Sequence, residues 1–228
     1  MIDIKSLSFR YTKKSPPVLN DISCTIPANS VIGVLGANGS GKTTFLKLLC
    51  RLLHPTSGAI SSAHSITYSY LPSAGSISPQ LTVKEFLTLR NARKLSQADL
   101  LTVEEFKLSD LLSKKATTLS FGQQQRVRLC ASMLSQADAY LLDEPTTGLD
   151  IEQNMIFKSL IRNFATNKPI LLATHNPAEI LTLCTHLLVI NTGAIGYYGT
   201  LDGFMDGFQS FDDAWFSHAS LENTASNA

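Results

Sequence analysis

The spacing of apolar and polar positions changes along the chain, and this divides it into candidate strands and helices. Residues 2–9 and 18–26 alternate between apolar and polar, which predicts strands with one buried face. The run at 31–35 is apolar and rich in β-branched residues, as expected of a strand buried on both faces. Leucines at helical spacing then predict a helix over residues 43–53, followed by a turn at 54–58.

The rest of the chain continues to alternate strands with helices. Residues 81–112 carry apolar positions three and four apart and predict two or three helices, and a further helix begins at Ser120. The remaining predicted elements are strands at 66–71, 139–142 and 169–173, a helix at 152–164, and a hairpin of 187–191 with 194–199. This order predicts an α/β fold with a largely parallel sheet covered on both faces.

Composition limits the classes of protein to be considered. The chain has 228 residues, of which 44% are apolar, and this suits a globular protein with a packed core. Its formal net charge of +1 gives no bulk attraction to nucleic acid or acidic lipid. The four cysteines stand singly, at spacings that match neither a zinc site nor a disulfide framework. No apolar run approaches the ~18 residues of a membrane span, so we expect a protein on the aqueous side of any membrane it serves.

A glycine-rich loop lies between the predicted strand at 31–35 and the predicted helix at 43–53. Its sequence, Gly-Ala-Asn-Gly-Ser-Gly-Lys-Thr, fits the phosphate-binding P-loop. Glycines let backbone N–H groups curl around phosphates, and the helix N-terminus favours an anion. Lys42 is expected to reach the β- and γ-phosphates, and Thr43 to place its hydroxyl on Mg²⁺. The predicted nucleotide-binding residues are Gly36, Ala37, Asn38, Gly39, Ser40, Gly41, Lys42, Thr43 and Thr44.

Two adjacent carboxylates, Asp143 and Glu144, follow the predicted buried strand at 139–142. A strand that ends there presents both at the carboxyl edge of the sheet, where α/β proteins bind ligands. Asp143 is expected to hold Mg²⁺, and Glu144 to orient and deprotonate an attacking water. Together with the P-loop, the pair indicates a P-loop NTPase. The guanine-reading pattern Asn-Lys-x-Asp does not occur in the sequence, which argues against a GTPase.

One further stretch, Leu-Ser-Phe-Gly-Gln-Gln-Gln-Arg at 119–126, shows which class of P-loop NTPase this chain resembles. It closely resembles the LSGGQ signature of ABC ATPases, and the order of motifs over residues 1 to about 207 matches their nucleotide-binding domain. The resemblance implies a P-loop NTPase core with an N-terminal antiparallel β subdomain at 1–72 and 119–207. It further implies an inserted helical subdomain at 73–118 and a C-terminal extension at 208–228. The polar end of that extension, ENTASNA, is predicted to be disordered.

The resemblance also implies ATP and Mg²⁺ as cofactors and, as the working form, a dimer with a second ABC ATPase subunit, either another copy of this chain or a different cassette. In the family, the signature of one subunit closes over ATP held in the P-loop of the other. The positions that match the family's remaining nucleotide contacts are the adenine-stacking Tyr11, the signature residues Ser120, Gly122 and Gln123, the D-loop residue Asp150, and the catalytic switch histidine His175.

Two positions depart from the family pattern. Phe121 replaces the first glycine of the signature pair, which places a bulky ring where the dimer is expected to close. Ser73 stands where the family has a glutamine that approaches Mg²⁺ and the attacking water, and its shorter side chain reaches less far. Gln80 lies seven residues further on and is not expected to substitute for it.

Three functions fit a P-loop ATPase of this kind. A transport motor bound to separate transmembrane permease subunits is favoured, at the cytoplasmic face of the inner membrane of a bacterium. A non-transport ABC ATPase acting on nucleic acid or the ribosome is disfavoured, since the chain has one cassette and no long basic insertion. A small-molecule kinase is disfavoured, because the signature has no role in its reaction. The segment Gly-Thr-Leu-Asp at 199–202 resembles the subunits of bacterial exporters, so export is preferred over import.

Overall fold

The structure, a computed structural model, describes residues 1–165 and 168–220 and has the α/β fold predicted from the sequence. The strands are β1 (Ile2–Phe9), β2 (Leu19–Ile26), β3 (Val31–Leu35), β4 (Ser57–Ser62), β5 (Tyr68–Leu71), β6 (Ala139–Asp143), β7 (Ile170–Ala173), β8 (His186–Asn191) and β9 (Ala194–Thr200). The α-helices are α1 (Lys42–Leu49), α2 (Val83–Arg90), α3 (Gln97–Glu105), α4 (Phe121–Met133), α5 (Ile151–Ala165), α6 (Pro177–Leu183), α7 (Leu201–Met205) and α8 (Phe211–Ser220).

The main sheet has six strands in the order β5-β6-β7-β3-β8-β9. All neighbours are parallel except β8 and β9, which form the predicted antiparallel hairpin. Both faces are covered, because Val31 and Leu35 of β3 pack into one hydrophobic cluster while Ile32 and Val34 pack into the other. The carboxyl ends of β3, β6 and β7 therefore meet at one edge of a sheet that is buried on both sides.

A second, antiparallel sheet of order β2-β1-β4 covers one side of this core. The apolar positions of β1 and β2 face inward, as their alternating pattern predicts. Strand β4 was not predicted: the turn expected at 54–58 gives way to a strand from Ser57, in which Ile60 pairs with Ile4. Its sequence, SGAISS, is small, polar and largely exposed, so it lacks the alternation that marks a half-buried strand.

Two α-helices and two short 3₁₀ segments, Ser109–Leu111 and Ala116–Thr118, form the predicted helical segment. Helix α2 begins with a capping box between Thr82 and Glu85, and α3 with one between Ser96 and Asp99. The carboxylate of Asp99 also accepts hydrogen bonds from both terminal nitrogens of Arg93. These caps explain why two short helices form here, since neither is long enough to be stable by propensity alone.

One helix prediction needs correction. Helix α1 ends at Leu49 rather than at residue 53, because Arg51 takes a left-handed conformation (φ 59°) that stops the helix. Helix α8 lies in the predicted C-terminal extension at 208–228, where no element was assigned from the sequence, and it buries Phe211 and Ala214. The ENTASNA end falls outside the described residues. In the part of the chain that the structure describes, no helix is both long and apolar enough to cross a bilayer.

Candidate nucleotide-binding site

The glycine loop joins the carboxyl end of β3 to the start of α1, as predicted. Gly36 has φ 156°, and a Cβ there would lie 2.2 Å from the backbone oxygen of Ile190 in β8. Gly41 has φ 111°, and its Cβ would lie 2.6 Å from the Leu19 side chain. A Cβ at position 36 would collide with the backbone of β8, and a side chain at position 41 would be strained by the positive φ and would press on Leu19, so both positions favour glycine.

Lys42 is buried at the first position of α1. Its Nζ donates to the backbone oxygens of Gly36 at 2.7 Å and Ala37 at 3.1 Å, so the ammonium lies inside the loop. Burial lowers the pKa of Lys42, and the nearby carboxylates of Glu144 and Asp143 partly oppose this. The cation is thus already withdrawn from water and held where a phosphate would enter the loop.

The fit of a divalent cation can be tested at the end of β6. The hydroxyl of Thr43 donates to Asp143 Oδ2 at 2.7 Å, which brings two oxygen ligands together beside the loop. Among the described residues, no group of three His, Cys, Asp or Glu side chains forms a metal cage. Thr43 and Asp143 supply two oxygen ligands and leave the other coordination positions open. This suits Mg²⁺, which usually binds one or two protein oxygens and completes its coordination with water and substrate phosphates.

A buried hydroxyl in the loop points to the same ligand chemistry. Ser40 is 6% exposed, and its Oγ has no hydrogen-bond partner among the described residues. An unpaired buried hydroxyl costs free energy unless a ligand or water satisfies it. An oxygen of a bound phosphate would supply the acceptor that Ser40 lacks, so the loop fits the anion it was predicted to bind.

Glu144 and His175 come from neighbouring strands and meet across the sheet edge. The backbone N–H of Glu144 donates to the oxygen of Ala173 (2.8 Å), and Glu144 has a left-handed φ of 51°. His175, two residues beyond the end of β7, donates from Nδ1 to Glu144 Oε2 at 2.8 Å. The His175 side chain is 75% exposed and that of Glu144 22%. Both predicted catalytic groups are therefore adjacent and reachable from solvent.

A cleft of about 460 Å³ lies over the loop. Predicted residues on its wall are Tyr11, Asn38, Gly39, Gly41, Lys42, Thr43, Thr44, Asp143 and Glu144. Tyr11 is 59% exposed, and its hydroxyl lies 3.2 Å from Thr44 Oγ1, so its ring borders the cleft as an adenine-stacking residue should. Ser73 also lines the cleft, so the departure from the family pattern falls inside the site.

One residue on the cleft wall was not predicted. Val18 lies just before β2 and supplies an apolar surface opposite the loop. Its position is explained by Gly193, whose Cβ would lie 2.6 Å from the Val18 backbone oxygen. In the sequence pattern Val18 is only a strand position, because its approach to the cleft depends on the packing of the β8–β9 turn against β2.

Eight predicted residues are not on the wall of this cleft: Gly36, Ala37 and Ser40 belong to the glycine loop itself, His175 and Gly36 line a neighbouring cavity, and the other four lie at the starts of α4 and α5. Ser120 and Gln123 form a capping box, in which Ser120 N donates to Gln123 Oε1 (2.9 Å) and Gln123 N donates to Ser120 Oγ (3.3 Å). Asp150 caps α5 by accepting from the backbone N–H of Gln153 at 2.9 Å. The chain alone does not bring the four residues at these helix starts to its own phosphate-binding loop.

Gly122 and the substituted Phe121 both contact Gly148 in the loop before α5. A Cβ on Gly122 would lie 2.7 Å from the backbone oxygen of Gly148. The Phe121 ring packs against Gly148, whose φ is 81°, yet the side chain stays 67% exposed. The signature and the loop before α5 therefore form one surface that faces solvent.

The fold and site define a P-loop ATPase, and comparison with known proteins identifies its family. The sequence model of the ABC transporter family matches residues 19–147, which is more than half of the chain. The chain is 30% identical to the ABC transporter ATP-binding protein NatA of Bacillus subtilis, over 91% of this chain and 92% of NatA. It is 33% identical to Nod factor export ATP-binding protein I of Burkholderia lata, over 84% of this chain and 68% of that protein.

Similarity extends to import proteins and to solved structures. The chain is 35% identical to the zinc import ATP-binding protein ZnuC of Rickettsia bellii, over 71% of this chain and 69% of ZnuC. A solved ATP-binding subunit of an ABC transporter superposes with a TM-score of 0.87 at 27% identity, covering 96% of this chain and 99% of that one. The chain belongs to the ABC transporter family, as an ATP-binding subunit with ATPase chemistry.

Proposed function

We propose that this subunit hydrolyses ATP in the cleft above the P-loop, with the residue roles predicted from the sequence. Lys42 and the loop N–H groups bind the β- and γ-phosphates, and Tyr11 stacks on the adenine. Thr43 and Asp143 hold Mg²⁺, which supplies charge neutralisation at the phosphates when bound. The observation that carries this assignment is the buried Lys42 cation, enclosed by the loop and flanked by the oxygen pair at the end of β6.

Glu144 is assigned as the general base and His175 as the group that positions it. A carboxylate with 22% exposure can accept a proton from water at the cleft, and the 2.8 Å bond to His175 fixes its direction. Hydrolysis then forms a bond from the water oxygen to phosphorus, breaks the bond to the ADP oxygen and passes the water proton to Glu144.

A second cassette is proposed to complete the site. Ser120, Gly122 and Asp150 lie away from the chain's own cleft and on a surface that faces solvent, so they are free to meet a partner's nucleotide. That surface also carries exposed apolar side chains: Phe121 is 67% exposed and Ile151 84%. Apolar groups beside a helix N-terminus suit a face that closes on another subunit around an anion.

Separate membrane subunits are proposed as the transport partners, at the cytoplasmic face of the membrane. A groove of about 310 Å³ beside α2 is lined by apolar Leu52 and Phe86 and by Arg90 and Arg128, with no carboxylate on its wall. The exposed Arg90 among these apolar groups suits a docking segment that carries an acidic side chain, whereas Arg128 is buried and donates within the chain. We favour export as the direction of transport, on the resemblance of residues 199–202 to exporter subunits, and the identity of the membrane partner tests this preference.

The test is a pull-down of tagged Glu144→Gln protein from detergent-solubilised native membranes with ATP, followed by mass spectrometry. The substitution keeps the binding groups and removes the base, so the ATP-bound assembly should persist. The matched control adds Lys42→Ala, which removes nucleotide binding from the same protein. Recovery of a polytopic membrane protein with the first variant but not the control supports the transport function, and its identity shows import or export. Recovery of only ribosomes or nucleic acid would refute it.

A further inference from the structure

A buried pair of side chains on α4, Gln125 and Arg128, connects two loops of the nucleotide cleft. Gln125 is 2% exposed and Arg128 8%. They are three residues apart on one helix face, and Arg128 Nη1 donates to Gln125 Oε1 at 2.7 Å. Such burial of an amide and a guanidinium is costly unless their hydrogen bonds are made. The bonds made by Gln125 Nε2 and Arg128 Nη2 therefore show which parts of the chain the pair connects.

The pair reaches a backbone oxygen beside the proposed base at one end. Gln125 Nε2 donates to the backbone oxygen of Pro145 at 2.8 Å. Pro145 directly follows Glu144, whose backbone is left-handed and whose N–H is bonded to Ala173. A non-glycine residue such as Glu144 keeps a left-handed backbone only if its surroundings hold it there. The hydrogen bond from Gln125 holds Pro145, the residue that directly follows Glu144.

The other end of the pair reaches the loop that carries Ser73. Arg128 Nη2 donates to the backbone oxygen of Pro72. Gly75 packs on the same guanidinium, since a Cβ there would lie 3.0 Å from Arg128 Nη2. The loop from Pro72 to Gly75 thus folds around the Arg128 head group, and Ser73 within it lines the nucleotide cleft.

The choice of an arginine at this position also needs an explanation. Among the described residues no carboxylate pairs with Arg128, and its acceptors are two neutral oxygens. Burial and the nearby Arg90 both lower the pKa of Arg128, so the surroundings do not favour this charge. An apolar residue would fill a buried site at lower cost, but it would supply no donor to Gln125 or to Pro72. The fork of the guanidinium directs Nη1 to one acceptor and Nη2 to the other.

We propose that the Gln125–Arg128 pair is a positioning bridge that holds the Ser73 loop and the Glu144 loop at a fixed separation for hydrolysis. It contacts neither the P-loop nor the oxygen pair of Thr43 and Asp143, so it acts on the rate of hydrolysis and leaves ATP binding unchanged. This inference rests on the proposed assignment of Glu144 as the base.

The experiment compares steady-state ATPase kinetics of full-length Arg128→Met, Gln125→Leu and the double variant. We expect each single variant to lower kcat about tenfold with KM for ATP within about twofold of wild type. The double variant should lose no more than either single one, because both changes break the same bridge. Arg128→Lys, which keeps one donor, should recover part of kcat. Arg162→Met is the matched control: Arg162 lies on α5, outside the cleft, the signature and the bridge, and its Nη2 donates to the backbone oxygen of Thr182.

Several results would overturn the proposal. They are an unchanged kcat, a KM that rises in step with the loss of kcat, losses in the double variant that equal the product of the two single losses, or an equal loss in Arg162→Met. Thermal unfolding of each variant shows which are folded, and if Arg128→Met does not fold, Gln125→Leu and Arg128→Lys carry the same test. A wild-type protein without ATPase activity would instead refute the proposed function, which keeps the two failures distinct.

Discussion

Replacing Lys42 by alanine removes the buried ammonium from the P-loop while leaving the backbone of the loop in place. In the structure its Nζ donates two hydrogen bonds, at 2.7 and 3.1 Å, to loop oxygens. When ATP binds, the Lys42 ammonium would donate to charged phosphate oxygens in place of these neutral backbone oxygens. Because burial has already withdrawn the cation from water, binding ATP requires little further desolvation of Lys42.

The expected loss follows from the strength of bonds between charged groups. Hydrogen bonds to charged groups contribute about 1.5–3 kcal/mol each, so losing two weakens binding by about 3 kcal/mol or more. This corresponds to a Kd for ATP about 150-fold higher than that of the wild type. The assay is a titration of a fluorescent ATP analogue, with calorimetry of ATP itself as a check.

A matched control separates this effect from a general loss of positive charge or of helix α1. Lys47 lies on the same helix but outside the cleft, so Lys47→Ala should change Kd by less than about twofold. Thermal unfolding shows whether either variant is folded. A folded Lys42→Ala protein whose Kd rises by less than about threefold would refute the assignment of Lys42 as the principal phosphate-binding cation.

Two further substitutions test other parts of the structure. Ser73→Gln lengthens a side chain on the cleft wall, and we expect it to raise kcat about threefold; an equal or lower rate would show that reach does not limit the reaction. Asp99→Asn should lower the free energy of unfolding by about 2–3 kcal/mol at pH 7, measured with urea. The hydrogen bonds from Arg93 hold the pKa of Asp99 below its usual value, so this difference should shrink as pH falls below 3.8, and a pH-independent difference would contradict it.

The site was largely predictable because its chemistry needs particular residues at fixed spacing. The loop from Gly36 to Thr43 must follow a buried strand and open a helix, and both neighbours are visible as apolar patterns. Asp143 and Glu144 were predictable in a similar way, because they stand at the end of an apolar run that predicts the buried strand β6. The contact between Glu144 and His175 was not predicted: His175 was identified only by its match to the family's switch histidine. The two residues are adjacent because they follow the neighbouring parallel strands β6 and β7, with Nδ1 and Oε2 2.8 Å apart.

The parts that escaped prediction depend on packing rather than on pattern. Strand β4 exists because β1 offers it an edge, while its own residues are small and polar. Helix α6 did carry a local signal, since Asn176 caps it and Pro177 occupies its first position, but its seven residues are too few to show a period. The Gln125–Arg128 bridge joins loops that are far apart in sequence, so only the folded chain brings its members together.

The central claim is that two of these subunits close around ATP, and the molar mass of Glu144→Gln protein in solution tests it most directly. Size-exclusion chromatography with light scattering should give the chain mass of 24.8 kDa without nucleotide and twice that mass with ATP and Mg²⁺. Adding Lys42→Ala to the same variant should return the ATP sample to the monomer. A Glu144→Gln protein that binds ATP to saturation yet stays at the monomer mass would contradict the account.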